Sequence, residues 1–253
     1  MPRFFVRRDA VSDGVIHITG EDAHHISRSL RMAVGEQLTA CDMQGIEYES
    51  VLTRITDTDV YARILSSKQS DTEPLYRARL FQALPKGDKL DSVIQKSVEC
   101  GVFEIYPFES ERCIVRVKPE AEEKKTERRQ RIAAEASKQS GRAILPTIYT
   151  TISYLEMLDR AAESDICLFC YEGDGTLPLG QVIDRNDLKE RMGRGEIPTV
   201  SIIIGSEGGF SQNEVQLARE RGMAVCGLGK RILRTETAAA FVLGCLVYAL
   251  ELS

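Results

Sequence analysis

"TVSIIIGSEGGFSQNEVQLARERG", residues 199–222, decides the fold. It begins with a dense apolar run that does not alternate with polar residues. Such a run reads as a strand covered on both faces, the kind found in parallel sheets. Gly205, Gly208 and Gly209 then break it. Ser211 stands three residues before Glu214, a capping-box pattern that opens a helix. Strand, glycine turn and capped helix together form one α/β unit.

The same grammar extends outward. "DICLFCYE", 165–172, is a second dense strand. "ARLFQAL" and "VFEIYPF" are strands around the amphipathic helix in "KGDKLDSVIQKSVECG", whose inner face is Leu90, Val93, Ile94 and Val98. Residues 122–141 read as a longer helix and "SYLEMLDRAA" as a short one. "MAVCGLG" is the last strand, and "TETAAAFVLGCLVYALEL" the last helix. Strand–helix alternation through residues 77–251 predicts a mostly parallel sheet with helices on both faces.

Residues 1–70 have another rhythm. "GVIHI", "QLTACD", "YESVLTRIT" and "DVYARIL" are short strands separated by polar breaks, which suits a small barrel or compact sheet. A helix is expected over 20–32, with Ala23, Ile26 and Leu30 on one stripe, and with one of His24 and His25 facing inward. The polar stretch "SSKQSDTEPLYR", 66–77, is the expected linker. The chain thus divides into residues 1–70 and 71–253.

Of the 253 residues, 43% are hydrophobic, enough for a sizeable core, and the net charge of −5 disfavours indiscriminate nucleic-acid binding. It does not exclude a local basic patch. The start, "MPRFFVRRDAVSDG", has no apolar core of a signal peptide, and no transmembrane span is expected. Seven cysteines, odd in number and irregularly spaced, fit reduced thiols in a cytoplasm. Cys167 and Cys170 form a C-x-x-C pair, but on a strand they point to opposite faces.

Two loops follow predicted strands, where open α/β sheets bind ligands. One is "GSEGGF", 205–210; the other is "GLGKR", 227–231. Ala224 stands where a P-loop needs Gly, and Arg231 where it needs Ser or Thr. Neither loop has dinucleotide-fingerprint spacing. All three histidines lie within the first 25 residues, and no metal-ligating set is visible. The cations Lys230, Arg231 and Arg234 precede the apolar last helix. On composition alone they are either solvated charges or an anion site.

"IIIGSEGGFSQNEV" followed by "LGKRILRTETAAA" resembles the RsmE family, the 16S ribosomal RNA (uracil-N3)-methyltransferases of the SPOUT class. The pairing of these two motifs about twenty residues apart is specific. Ser206 departs from the family's usual Pro. "HHISRSLRMAVGE" (His25, Leu30, Arg31, Gly35), the segment with Lys96, Glu99 and Gly101, and "RRQRIAAEASKQSGRAILP" (Arg128, Glu135, Gln139, Arg142, Pro146) are also similar. Arg129 replaces the family Trp, and the resemblance covers nearly the whole chain.

The resemblance implies a PUA-like β-barrel over 1–70 that holds RNA. It implies a trefoil-knotted SPOUT domain over 71–253 that binds S-adenosylmethionine and dimerises. The implied reaction is methylation of one uridine N3 in 16S rRNA, on the 30S subunit. The alternatives are a SPOUT enzyme acting elsewhere, such as a ribose 2′-OH, and a non-catalytic RNA-binding protein. Expected catalytic residues are Arg234, to stabilise a uracil anion, with Thr235 and Glu236 orienting it or capping the helix. Expected cofactor residues are Phe169, Tyr171, Glu172, Ile204, Gly205, Gly208, Gly209, Leu228, Ile232 and Leu233. Expected RNA contacts are Arg3, Arg7, Arg8, Arg28, Arg31, Arg128, Gln139, Arg142 and Arg231. No metal and no membrane are implied.

Overall fold

The structure is a computed structural model describing all residues, Met1–Ser253. Two compact units emerge. The first comprises Met1–Glu73 and Ser137–Leu145; the second comprises Pro74–Ala136 and Pro146–Ser253.

The first unit is built on β1 (Arg3–Phe5), β2 (Val11–Ser12), β3 (Val15–Thr19), β4 (Gln37–Cys41), β5 (Ile46–Ile55) and β6 (Asp59–Gln69), with helix α1 (Gly20–His24). The sheet order is β1-β4-β5-β6-β3-β2; β1 runs parallel to β4 and the other pairings are antiparallel. Alternation along the strands sends Phe4, Ile16, Ile18, Leu38, Ala40, Leu52, Val60 and Ala62 into one core, with Ala23 and Ile26 added from the helical segment.

Three expectations change here. The helix stops as a π-turn at Ser29, so Leu30 lies beyond it and is 42% exposed. Both His24 and His25 are exposed, because Ala23 and Ile26 already fill the inward positions. The stretch 66–77 is not all linker: β6 runs on to Gln69.

Segment 137–145 returns to this unit and is fastened there by charge. Arg142, 4% exposed at its side chain, pairs with Glu73 at 2.7 Å. The same carboxylate accepts from the backbone N–H groups of Ala143 and Ile144 at 2.9 and 3.0 Å.

The second unit carries β7 (Arg77–Ala83), α2 (Lys89–Glu99), β8 (Val102–Glu109), α3 (Pro119–Ser140, whose last turn belongs to the first unit), β9 (Thr147–Ile148), β10 (Ile152–Ser153) and α4 (Tyr154–Ala161). It continues with β11 (Ile166–Cys170), β12 (Leu177–Pro178), α5 (Leu179–Asp184), α6 (Leu188–Gly193), β13 (Thr199–Ile204), α7 (Gln212–Glu220), β14 (Ala224–Gly227) and α8 (Thr235–Val247). The strand order is β10-β8-β7-β13-β11-β14-β12, with β9 beside β8, and every pairing is parallel. The dense runs of β11 and β13 occupy the middle, as covered parallel strands must. Although β13 follows β11 in sequence, it lies between β7 and β11, so the winding order reverses there.

Cys167 Sγ bonds the Ala161 carbonyl at 2.9 Å, whereas Cys170 Sγ lies 3.9 Å from Cys226 Sγ. The C-x-x-C pair therefore splits across the sheet. Arg129, where the related motif has Trp, is buried and pairs with Glu122 at 3.1 Å. Helix α8 continues as a π-turn to Leu252. By length and composition Thr235–Leu252 could cross a membrane, with a mean hydropathy of 1.4. However, Ala239, Val242, Leu243 and Leu246 are fully buried in the unit's core, which accounts for that composition.

Candidate functional site

The carboxyl ends of β11, β13 and β14 open into a cavity of about 390 Å³. Its floor begins with Ile204, the last residue of β13. Gly205 comes next, and a Cβ there would sit 3.2 Å from both the Gly209 Cα and the Phe210 ring. Gly209 has φ +62°, and its N–H donates to the Ser206 carbonyl at 2.9 Å. That left-handed φ favours glycine, and a side chain at 209 would also push the Glu172 carboxylate aside. Phe210 is buried against Phe169, ring centroids 4.4 Å apart. Ser211 and Glu214 form the full capping box that starts α7.

The second wall is the segment between β14 and α8. Leu228, Gly229, Arg231, Ile232, Leu233 and Arg234 all line the cavity. The two loops are tied together: Thr235 Oγ1 donates to the Gly205 carbonyl at 2.7 Å and accepts from Gln82 Nε2 at 2.9 Å. Gln82 is fully buried on β7, so the ends of β7 and β13 and the start of α8 share these bonds. Arg234 sits at the N-cap of α8, and its carbonyl accepts from the Thr237 and Ala238 N–H groups.

Charge in the cavity is unevenly committed. Glu207 is held by Lys89 Nζ at 2.7 Å and by the Lys86 N–H at 3.2 Å. Burial works to raise the Glu207 carboxyl, but these bonds outweigh it and hold its pKa below the ordinary value. Arg231 and Arg234 are exposed and form no ion pair; neither Glu236 nor Thr235 bonds the Arg234 side chain, so the expected orienting role is not seen, and the Thr235 hydroxyl is instead spent on Gly205 and Gln82. Ser206 is 7% exposed, with an Oγ that has no partner, and Glu236 Oε2 is likewise buried and unpartnered. Ile232 is 87% exposed beside the opening.

Tyr171, Glu172, Ile204, Gly205, Gly209, Leu228, Arg231, Ile232, Leu233, Arg234 and Thr235 therefore meet in one cavity. Phe169, Gly208 and Glu236 are not among its walls. Phe169 is beneath it in the core, and Gly208 packs on Arg112, whose Nη1 donates to its carbonyl at 3.1 Å. Sequence reasoning missed Lys89 and Cys170 as cavity residues. For Lys89 the available signal was its place just beyond a strand end.

The remaining cations differ in freedom. Arg3 is half-buried and pairs with Glu47 at 2.9 Å, and Arg142 is locked to Glu73. Arg7 pairs with Asp9, Arg8 lies 3.8 Å from Asp42, Arg28 pairs with Asp57 and Arg128 with Asp91, all four with exposed guanidinium groups. Arg31, at φ +52°, and Gln139 are exposed.

Comparison with known proteins follows the same outline. A family model described as an RNA methyltransferase domain matches residues 71–247, and one described as an RNA methyltransferase PUA domain matches 18–65. The ribosomal RNA small subunit methyltransferase E of Bacillus subtilis is 32% identical over 255 residues, covering 100% of this chain and 98% of the relative. The crystal structure of the Neisseria gonorrhoeae enzyme of that name, bound to S-adenosyl methionine, superposes with a TM-score of 0.85. It is 32% identical and covers 98% of both chains. A Legionella pneumophila protein solved with the cofactor SAM gives 0.82 at 30% identity, covering 98% of this chain and 97% of that one. Identity at this level over the full length, shared by both units, makes the chain a member of the ribosomal RNA small subunit methyltransferase E family.

Proposed function

We propose that the protein transfers a methyl group from S-adenosylmethionine to N3 of a uridine in 16S rRNA of the small ribosomal subunit. One observation carries the reading: the "GSEGGF" and "GLGKRILRTETA" loops close on each other through Thr235 and Gly205, at the reversal point of a parallel sheet. The cavity suits the cofactor. Its volume falls in the small-molecule range, with apolar walls at Ile204, Leu228, Leu233 and Ala238 and a few fixed polar groups. The unpartnered Ser206 hydroxyl supplies a further donor there.

When bound, the sulfonium supplies an electrophilic methyl. The chain supplies positioning and charge. Leu228, Leu233 and Ile204 would cover the adenine faces, and backbone groups of Gly205 and Gly209 would read its edge. Arg234 stabilises the uracil anion at O2 or O4, aided by the amino end of α8. Arg231 meets phosphate. Arg7, Arg8, Arg28 and Arg31 in the first unit and Arg128 in the second are the exposed cations suited to the RNA backbone.

The reading includes a cytoplasmic homodimer and a trefoil crossing around β13. Support for the dimer is the apolar hollow of about 890 Å³ beside α8, lined by Leu177, Leu179, Phe241 and Tyr248. The test is incubation of the protein with S-adenosylmethionine and 30S particles, then mass spectrometry of the rRNA nucleosides. 3-Methyluridine is expected; a ribose-methylated product or none overturns the reading.

A further inference from the structure

Uracil N3 carries a proton at neutral pH, and an N–H nitrogen has no lone pair free to attack a methyl group. Some group must take that proton before or during transfer. The titratable groups facing the cavity are Lys89 of α2, Cys170, Tyr171 and Glu172 at the end of β11, Glu207 after β13, and Arg231 and Arg234 before α8.

Most of them are unsuited. Lys89 is committed to Glu207, and Glu207 to Lys89 and the Lys86 N–H. Cys170 is buried beside Cys226, which disfavours its thiolate. The two arginines are permanent cations. Tyr171 is half-buried, with its ring covering Gly173. Glu172 is different: its carboxylate is exposed to the cavity and makes no hydrogen bond or ion pair. Oε1 lies over Gly209, where any Cβ would collide with it. The glycine thus leaves room for this carboxylate at the cavity wall, which Arg234 also lines.

Resting on the proposed reaction, we infer that Glu172 is the general base that accepts the N3 proton of the target uracil. The N3–H bond breaks and its proton passes to a Glu172 carboxylate oxygen. The N3 pair forms the new N–CH₃ bond. The S–CH₃ bond breaks, and its electron pair remains on sulfur as a neutral thioether. Arg234 holds the transient anion, and Glu172 returns its proton to water once product leaves.

The experiment compares wild type, Glu172→Gln and Glu172→Asp in single-turnover methylation of 30S particles across about pH 6 to 9, with calorimetric S-adenosylmethionine binding alongside. Glu172→Gln is expected to slow the step by about 100-fold or more, leaving cofactor affinity within about threefold. Its residual rate should rise about tenfold per pH unit, as solvent deprotonation replaces the missing base, while the wild-type rate is flatter. Glu172→Asp should recover part of the rate. A Gln variant with the wild-type rate and pH profile overturns the assignment. So does a rate loss that only follows weakened cofactor binding. If the wild-type product is not 3-methyluridine, the proposed reaction itself falls; if it is, only the base assignment is at stake.

Discussion

Thr235 Oγ1 donates a 2.7 Å hydrogen bond to the carbonyl oxygen of Gly205. The first residue of α8 is thereby fixed to the first residue of the glycine loop, 30 positions earlier. Gln82 Nε2, fully buried, donates to the same hydroxyl at 2.9 Å. Thr235→Val keeps the shape but removes one hydrogen bond each from the half-buried Gly205 carbonyl and from Gln82 Nε2, which keeps the Ala83 carbonyl at 2.9 Å. The expected cost is about 0.5–1.5 kcal/mol in urea unfolding, with weaker S-adenosylmethionine binding in calorimetry.

Gly209 supports a different expectation. Its φ of +62° is strained for a β-branched residue, and a side chain would displace the Glu172 carboxylate. Gly209→Val is expected to weaken cofactor binding by more than about tenfold, equivalent to about 1.4 kcal/mol. Unchanged affinity would place the cofactor elsewhere.

Arg234 lines the cavity without an ion-pair partner of its own. Arg234→Ala should therefore leave the fold intact and the cofactor bound, while lowering methylation of 30S particles by about 100- to 1,000-fold. Calorimetry beside a methylation assay separates the two effects, and full turnover would remove Arg234 from the mechanism.

Glu207 makes the tie between the glycine loop and α2 dependent on pH. Its folded-state pKa lies below the ordinary 4.5. The stabilisation is whole above the unfolded value and is lost as pH falls through the lower folded one. Lys89→Met removes the ammonium that holds this carboxylate. Melting curves should show wild type ahead of the variant at neutral pH, with the gap narrowing below about pH 4. A gap independent of pH would mean that the pair contributes packing rather than charge.

Much of this was legible in the sequence, for specific reasons. The β11 and β13 runs announce central strands because burial on both faces leaves no polar alternation. Ser211 and Glu214 announce α7 because their pairing is local. Helices α5 and α6, residues 179–193, were not foreseen: "LGQVIDRNDLKERMG" mixes turn residues with too short an apolar period. Nor was Lys89, whose partner Glu207 lies 118 residues away. Strand order, which puts β13 beside β7, is a property of long-range packing and leaves no local mark. Leu30 sat on a helical stripe in sequence, but a π-turn ended the stripe one residue early.

Segment 137–145 has a consequence for how the polypeptide is made. Because it belongs with Met1–Glu73, the chain passes between the units three times, and no single cut releases the first one whole. A fragment ending at Glu73 would keep that carboxylate but lack Arg142 and the Ala143 and Ile144 amides that satisfy it. During synthesis all six strands of the first sheet emerge by Gln69, but the Glu73 carboxylate waits for its partners until residue 145 has left the ribosome. At about 5–20 residues per second that delay is several seconds.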